Sequence, residues 1–250
     1  MRVTAGILLI VLLLYAAACI ALFAFQRSLI YFPQPKSYGG PADTVILPAD
    51  ILVTARAHAG PKALLYFGGN AEDVSANLAS FSRAFPDYAI YLLHYRGYGG
   101  SAGKPSEEAL HADARALFDR VHRDHPEIAV IGRSLGSGVA VRLAAERPAS
   151  RLVLVTPYDS IAAIAAQQFP YFPLRWLLTE RFESTRHAPA IRVPTLILQA
   201  ENDEVIPSAS TEHLHATFAK GIAKLVVIRG TGHNSISATA QYLDAMRTVL

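Results

Sequence analysis

Ile128-Ala129-Val130-Ile131-Gly132-Arg133-Ser134-Leu135-Gly136-Ser137-Gly138 is an apolar run that ends in Gly-x-Ser-x-Gly and passes without a break into an Ala- and Val-rich stretch. That order is the sequence form of a strand turning sharply into a helix with a serine at the apex. Side chains two residues before and two after the serine would strike neighbouring backbone, and both positions, Gly132 and Gly136, are glycine. Such an elbow holds Ser134 at the top of a sheet with its hydroxyl exposed. It also places Ser134 at the N-terminus of the next helix, where free N–H groups and the dipole favour developing negative charge. Small residues gather in turns by chance, so the motif alone decides little. Its surroundings decide more: 128–131 reads as a buried strand, and Val139, Ala140, Leu143 and Ala144 recur at helical spacing until Pro148 ends the helix.

Working outward, apolar runs recur at 63–67, 88–95, 152–155, 195–198 and 225–228, separated by helical stretches, after short opening strands at 45–47 and 51–53. Continuous rather than alternating apolarity suits strands buried on both faces, so the fold class is α/β, a parallel sheet covered by helices. Asn77-Leu78 to Phe85 is the first of those helices, and Ser106 caps a second, 107–123, with Glu107 and Glu108 in its first turn. The 250 residues suffice for one such domain.

Hydrophobic residues make up 52% of the chain and charged residues 17%. Part of the apolar excess lies at the start, where no charged side chain occurs between Val3 and Phe25. At about 1.5 Å per residue such a helix crosses a hydrocarbon layer of about 30 Å. We read residues 1–27 as a retained single-pass transmembrane anchor. A cleaved signal peptide is the competing reading, because Ala16-Ala17-Ala18-Cys19 resembles a processing site, but the apolar run continues unbroken through Ile20, Leu22, Phe23 and Phe25. Arg2 on one side and Arg27 and Lys36 on the other give too small a charge bias to fix orientation, although the reading leans towards an extracytoplasmic domain. Residues 28–42, rich in Pro and Gly, form a linker, and the folded domain occupies 43–250. A net charge of +3 without Lys/Arg blocks argues against nucleic acid as a partner, and the single cysteine, Cys19, allows neither an intramolecular disulfide nor a cysteine metal site.

A serine hydroxyl becomes a competent nucleophile when a base takes its proton, and the base needs a carboxylate to fix its tautomer. In this fold the partners follow in the order Ser, acid, His, on loops after strands. Asp203 follows the run at 195–198 and His233, framed by Gly230 and Gly232, follows 225–228. Glu201 and Glu204 are alternative acids; Asp159 is another, though it also fits as a helix N-cap. His111, His122, His125, His213 and His215 fall in helical stretches with mixed neighbours and are expected at the surface. For an oxyanion hole we assign the backbone N–H groups of Leu135 and Asn70, with Gly69 as the alternative to Asn70 in Phe67-Gly68-Gly69-Asn70-Ala71. The interval 161–187 interleaves Phe169, Tyr171, Phe172, Trp176 and Phe182 with Arg175, Arg181 and Arg186 and is expected to form a small helical cap. Its aromatics have three possible places: an acyl pocket, a membrane surface, or ordinary packing on the sheet with the arginines solvated.

Taken together, Arg27-Ser28-Leu29-Ile30-Tyr31-Phe32-Pro33, Gly69-Asn70-Ala71-Glu72, Tyr95-Arg96-Gly97-Tyr98-Gly99, Gly132-Arg133-Ser134-Leu135-Gly136, Val193-Pro194-Thr195-Leu196-Ile197, Asp203-Glu204-Val205-Ile206-Pro207 and Gly232-His233-Asn234 resemble the α/β-hydrolase superfamily. Within it the chain is similar to the membrane-anchored serine hydrolases of the bud-emergence type, relatives of the α/β-hydrolase-domain depalmitoylases. The resemblance implies an α/β-hydrolase fold with a mostly parallel eight-stranded sheet, no cofactor, no metal, and hydrolysis through Ser134, Asp203 and His233. One departure is Gly68, which stands where the family often has histidine. The reading is a membrane-anchored serine hydrolase acting on a carboxylic ester or thioester of small-molecule or lipid-like character. A peptidase or amidase with the same residues and a non-catalytic tethered binding protein are the alternatives. A dehalogenase or epoxide hydrolase needs a carboxylate where Ser134 stands.

Overall fold

The computed structural model describes residues 2–38 and 43–250. Each apolar run becomes a strand: β1 (Thr44–Leu47), β2 (Ile51–Arg56), β3 (Lys62–Phe67), β4 (Ala89–Leu93), β5 (Glu127–Arg133), β6 (Arg151–Val155), β7 (Thr195–Ala200) and β8 (Ala223–Ile228). They form one eight-stranded sheet in the order β1-β2-β4-β3-β5-β6-β7-β8. β1 and β2 are antiparallel to their neighbours, and every pairing from β4 to β8 is parallel. Within β3, β5 and β6, alternate residues feed two separate cores: Leu65, Val130 and Leu154 face one side, and Leu64, Ile131 and Val153 the other. Helices cover both faces of the central strands β3 to β7, which are buried nearly throughout and read as continuous apolar runs.

Helices α2 (Leu78–Ala84) and α9 (Ala240–Arg247) cover one face through Phe81, Tyr242 and Met246. α3 (Glu107–Val121), α4 (Leu135–Glu146) and α8 (Ser208–Thr217) cover the other through Leu110, Val139 and Leu214. Ser106 caps α3 as expected, its side chain accepting from Ala109 N at 3.3 Å. Two histidines that the pattern places on helices at the surface are buried instead, and His125 lies beyond the end of α3. The His111 ring lies tilted against Phe182, with Nε2 3.8 Å from Glu107, and His125 Nδ1 lies 2.7 Å from the Gly60 carbonyl. In each case a nearby oxygen offsets the loss of hydration: Glu107 lies one helical turn before His111, whereas the Gly60 carbonyl reaches His125 from a loop 65 positions away.

Between β6 and β7 lie three short helices, α5 (Ile161–Gln168), α6 (Leu174–Leu177) and α7 (Ser184–His187). α5 is capped by Ser160, whose side chain accepts from Ala163 N, and not by Asp159. Asp159 is buried and holds α8 instead, accepting from Ser210 Oγ at 2.7 Å and lying 3.0 Å from His213 Nδ1.

The N-terminal helix α1 runs from Arg2 to Ile30, past Arg27. Most of it is exposed, but Ala18, Cys19, Leu22, Gln26 and Ile30, spaced as one helix face, are shielded. That face packs on the segment around α6: Leu22 joins the cluster of Ala162, Leu174 and Leu178, and the Tyr15 ring stacks on Phe172 at 5.6 Å. Gln26, 5% exposed, gives its Oε1 to the backbone and hydroxyl of Thr179, and Arg27 Nε donates to Glu180 at 2.8 Å. The extended residues after α1 are also fastened down. Tyr31 hydroxyl donates to Glu180 Oε2, Phe32 N to Asn70 Oδ1 and Ser37 N to Asp73 Oδ2.

Candidate active site at the strand-to-helix elbow

Ser134 sits between β5 and α4 with φ 48° and ψ −117°, a left-handed conformation that an L-residue adopts only under constraint. The constraint is steric and comes from both sides. A Cβ on Gly132 would meet the Gly136 carbonyl and Ala140, and one on Gly136 would meet the Phe67 carbonyl at the end of β3. Backbone hydrogen bonds hold the turn: Ser134 N donates to Val155 O at 2.9 Å and Ser137 N to Ser134 O at 2.8 Å.

Loops after β7 and β8 deliver the other two groups. His233 Nε2 lies 2.9 Å from Ser134 Oγ, and His233 Nδ1 lies 3.0 Å from each carboxylate oxygen of Asp203. Both side chains are almost wholly buried, 6% and 5% exposed. Burial by itself would raise the Asp203 carboxyl, but hydrogen bonds from His233, Ile206 N and Val205 N outweigh it and hold the group below the ordinary carboxylate range. An ionised Asp203 accepts the proton on Nδ1 and leaves Nε2 as the acceptor facing the serine hydroxyl. Neither alternative acid on this loop reaches the imidazole. Glu204 accepts from His233 N at 3.0 Å, and Glu201 from Gly230 N at 2.8 Å. Asp159 is engaged with α8.

The loop after β3 brings Asn70 beside Ser134 and Leu135 along one cavity. Gly69 N donates to Glu72 Oε2 at 2.6 Å and is already engaged, whereas no hydrogen bond is made by the N–H groups of Leu135 and Asn70 within the described residues. A side chain at Gly68 would collide with Val74, so this position of the loop as built takes only glycine.

Arg133 and Glu72 complete the surroundings without a sequence motif to announce them. Arg133 Nη1 donates to Glu72 Oε2 at 2.9 Å, and Nη2 donates to the His233 carbonyl at 3.3 Å and Asn234 Oδ1 at 3.2 Å. Glu72 Oε1 accepts from the Tyr66 hydroxyl at 2.6 Å and from Asn77 Nδ2 at 2.8 Å. One buried ion pair therefore ties the elbow, the β3 loop and the His233 loop together. The hint in sequence is a charged residue in or beside each glycine motif, Arg133 within 132–136 and Glu72 after Gly68-Gly69.

The cavity beside Ser134, about 280 Å³, is bounded by Tyr158, by Ile161, Ile164 and Ala165 of α5, and by Leu29 and Ile30 of α1. The cap aromatics are absent from its wall: Phe169, Tyr171 and Trp176 point outward, 55%, 86% and 88% exposed. Among the described residues no group of three or more His, Cys, Asp or Glu side chains is placed to hold a metal ion.

A family model described as serine aminopeptidase, S33, matches residues 73–186, and one described as TAP-like protein matches 175–248. An uncharacterised protein of Mycobacterium tuberculosis is 35% identical, covering 96% of this chain and 92% of its own length. Protein bem46 of Schizosaccharomyces pombe is 29% identical over 74% of this chain and 72% of its own, and WAV2 of Arabidopsis thaliana, an α/β-hydrolase domain-containing protein, is 28% identical over 81% and 78%. Among solved structures, the Pyrococcus furiosus esterase Pf2001 superposes with a TM-score of 0.65 at 18% identity, covering 87% of this chain and 95% of its own. An enol-lactonase from Burkholderia xenovorans gives 0.63 at 15%, covering 82% and 98%. With its sheet order, its elbow and these relatives, the chain belongs to the α/β-hydrolase superfamily and, within it, to the bem46-type proteins.

Proposed function

We propose that the protein is a serine hydrolase that cleaves a carboxylic ester or thioester and is held at a membrane by α1. The observation that carries the proposal is the unbroken hydrogen-bond chain from Ser134 Oγ through both nitrogens of His233 to Asp203. His233 Nε2 takes the hydroxyl proton as Oγ bonds to the acyl carbon, and the carbonyl π electrons move onto oxygen. The N–H groups of Leu135 and Asn70 receive that oxyanion, each donor contributing about 3 kcal/mol to the barrier reduction. The tetrahedral adduct collapses, its carbon–oxygen or carbon–sulfur bond breaks, and imidazolium returns the proton to the departing alcohol or thiol. Water, deprotonated by the same imidazole, then attacks the acyl-enzyme and releases the acid and free Ser134. Asp203 keeps His233 in the required tautomer and balances the transient positive charge.

Membrane anchoring is supported by α1, in which the span Val3–Ile30 contains an 18-residue window with a mean hydropathy of 3.0. A fluorophosphonate probe tests the nucleophile: the wild-type protein is expected to label and Ser134→Ala not to. Equal labelling of both would overturn the assignment. The serine aminopeptidase description of the family model keeps an amidase in view. It becomes the better reading if aminoacyl amides are cleaved faster than acyl esters by purified protein.

A further inference from the structure

The wall of the cavity beside Ser134 is shared between the hydrolase domain and the apolar N-terminal helix. On one side stand Ile161, Ile164, Ala165 and Gln168, spaced as one face of α5; on the other stand Leu29 and Ile30, the last turn of α1. At about 280 Å³ it lies at the small end for a ligand pocket, where roughly 300–1,000 Å³ is usual. A long acyl chain bound by its ester end at Ser134 therefore leaves most of its length outside. Leu29, 58% exposed, stands at the rim of this cavity, and beyond it runs the apolar surface of a helix 29 residues long.

A second observation concerns the cap. From Tyr15 to Gln26 α1 is accompanied by the segment 169–180, through the Tyr15–Phe172 stack, the Tyr15 hydroxyl donating to the Tyr171 carbonyl at 2.8 Å, Leu22 against Leu174, and Gln26 against Thr179. Tyr15 lies about 18 Å along the helix axis from Arg27. A membrane that surrounds α1 below Arg27 thus also surrounds this flank of the cap. The flank carries the right chemistry for that depth, since Tyr171 and Trp176 are outward-facing amphipathic rings at the end of a cap that buries Leu174, Leu178 and Phe182 elsewhere.

We propose that the substrate is a membrane-resident long-chain acyl ester or thioester that reaches Ser134 sideways from the lipid phase, its chain passing between the end of α1 and α5 while the 169–176 flank of the cap is immersed in the same leaflet. This rests on the serine hydrolase reading given above and adds to it the phase from which the substrate comes. It makes α1 part of the substrate path, not only a tether.

The chain's only tryptophan is Trp176, which makes immersion directly readable. The full chain is reconstituted in phosphatidylcholine vesicles whose acyl chains carry bromine, with unbrominated vesicles as reference. Trp176 emission is expected to shift to the blue and to be quenched by the brominated chains; emission unchanged from that of a soluble reference indole overturns the proposal. In parallel, turnover is followed on a water-soluble acetate ester and on a long-chain ester dissolved in the vesicle. Trp176→Glu is expected to leave acetate turnover within about twofold while lowering turnover of the embedded ester about tenfold, equivalent to about 1.4 kcal/mol. Ala165→Phe, which narrows the slot, is expected to lower the long-chain rate more than the acetate rate. Loss of acetate turnover in the wild type sinks the serine hydrolase reading and this proposal with it. Intact acetate turnover, with Trp176→Glu indifferent for both esters, sinks the lateral route alone.

Discussion

At the residue scale, Ser134 is held in a strained backbone by neighbours that cannot move, and this is why its hydroxyl meets His233 without a search through rotamers. Replacing Asp203 by Asn leaves the packing nearly unchanged but removes the anion that fixes the imidazole tautomer. A fall of about 10⁴-fold in kcat on an activated ester is expected, with KM little altered. Arg133 offers a subtler test. It touches no reacting atom, yet it spans Glu72 on one loop and the His233 carbonyl on another, so it is a positioning residue. Arg133→Met removes the cation and leaves the Glu72 carboxylate, 14% exposed, with one partner fewer. We expect about 2–3 kcal/mol of lost stability in urea melts. We also expect a kcat lowered more than KM is raised, because His233 is less well aimed while the acyl pocket is untouched. Ser134, Asp203 and His233 were legible in the sequence because each follows an apolar run and two stand in glycine-rich turns. Arg133 and Glu72 were not, since nothing in one strand end tells which loop carboxylate, 61 positions away, will face it.

At the element scale, the strands were legible because a strand buried on both faces must be continuously apolar, and the eight runs had nowhere else to go. The short helices of the cap were less legible, since four-residue helices such as α6 and α7 are set by what they pack on and carry no periodic signature of their own. α1 shows the same limit in another form: a helix apolar over most of its length has no stripe to reveal its docked face, and on that face only Gln26 is polar. The edge of the sheet carries a prediction of its own. His94, just after β4, is 2% exposed, with Nε2 2.8 Å from Thr54 Oγ1 on β2 and its own N donating to Leu52 O. Burial pushes its pKa down to about 4, so the folded protein holds it neutral. The unfolded chain takes up a proton near pH 6.5 that the native state refuses until about pH 4, so stability present above 6.5 is lost as the pH falls through that window. The loss is on the order of 3 kcal/mol. Urea midpoints measured from pH 7 to pH 4 are expected to fall less steeply in His94→Gln than in the wild type; parallel slopes would count against the burial of His94 as their cause.

At the scale of the whole molecule, the N-terminal helix and the hydrolase domain share hydrogen bonds at the β3 loop, which lines the cavity beside Ser134. Asn70 Nδ2 donates to the Ile30 carbonyl at 2.5 Å, and Asn70 Oδ1 accepts from Phe32 N at 3.0 Å and from the Tyr98 hydroxyl at 2.8 Å. The backbone N–H of this same residue is the proposed oxyanion donor, so the end of α1 sets where that donor points. Asn70→Ala keeps the N–H and removes these bonds together with the one from Ala71 N to Oδ1. Each is worth about 1 kcal/mol, and a misplaced donor costs up to about 3 kcal/mol in the barrier, so kcat on a soluble acetate ester is expected to drop by about tenfold to a hundredfold. A deletion of residues 3–12 separates anchoring from this role, because it removes apolar length but leaves the docked stretch from Tyr15 through Ser37 in place. That protein is expected to be retained more weakly in flotation assays and to keep acetate turnover within about twofold, the two effects having different structural causes. If Asn70→Ala instead matches the wild type in kcat while the short deletion abolishes it, α1 acts on the site by some route other than the β3 loop.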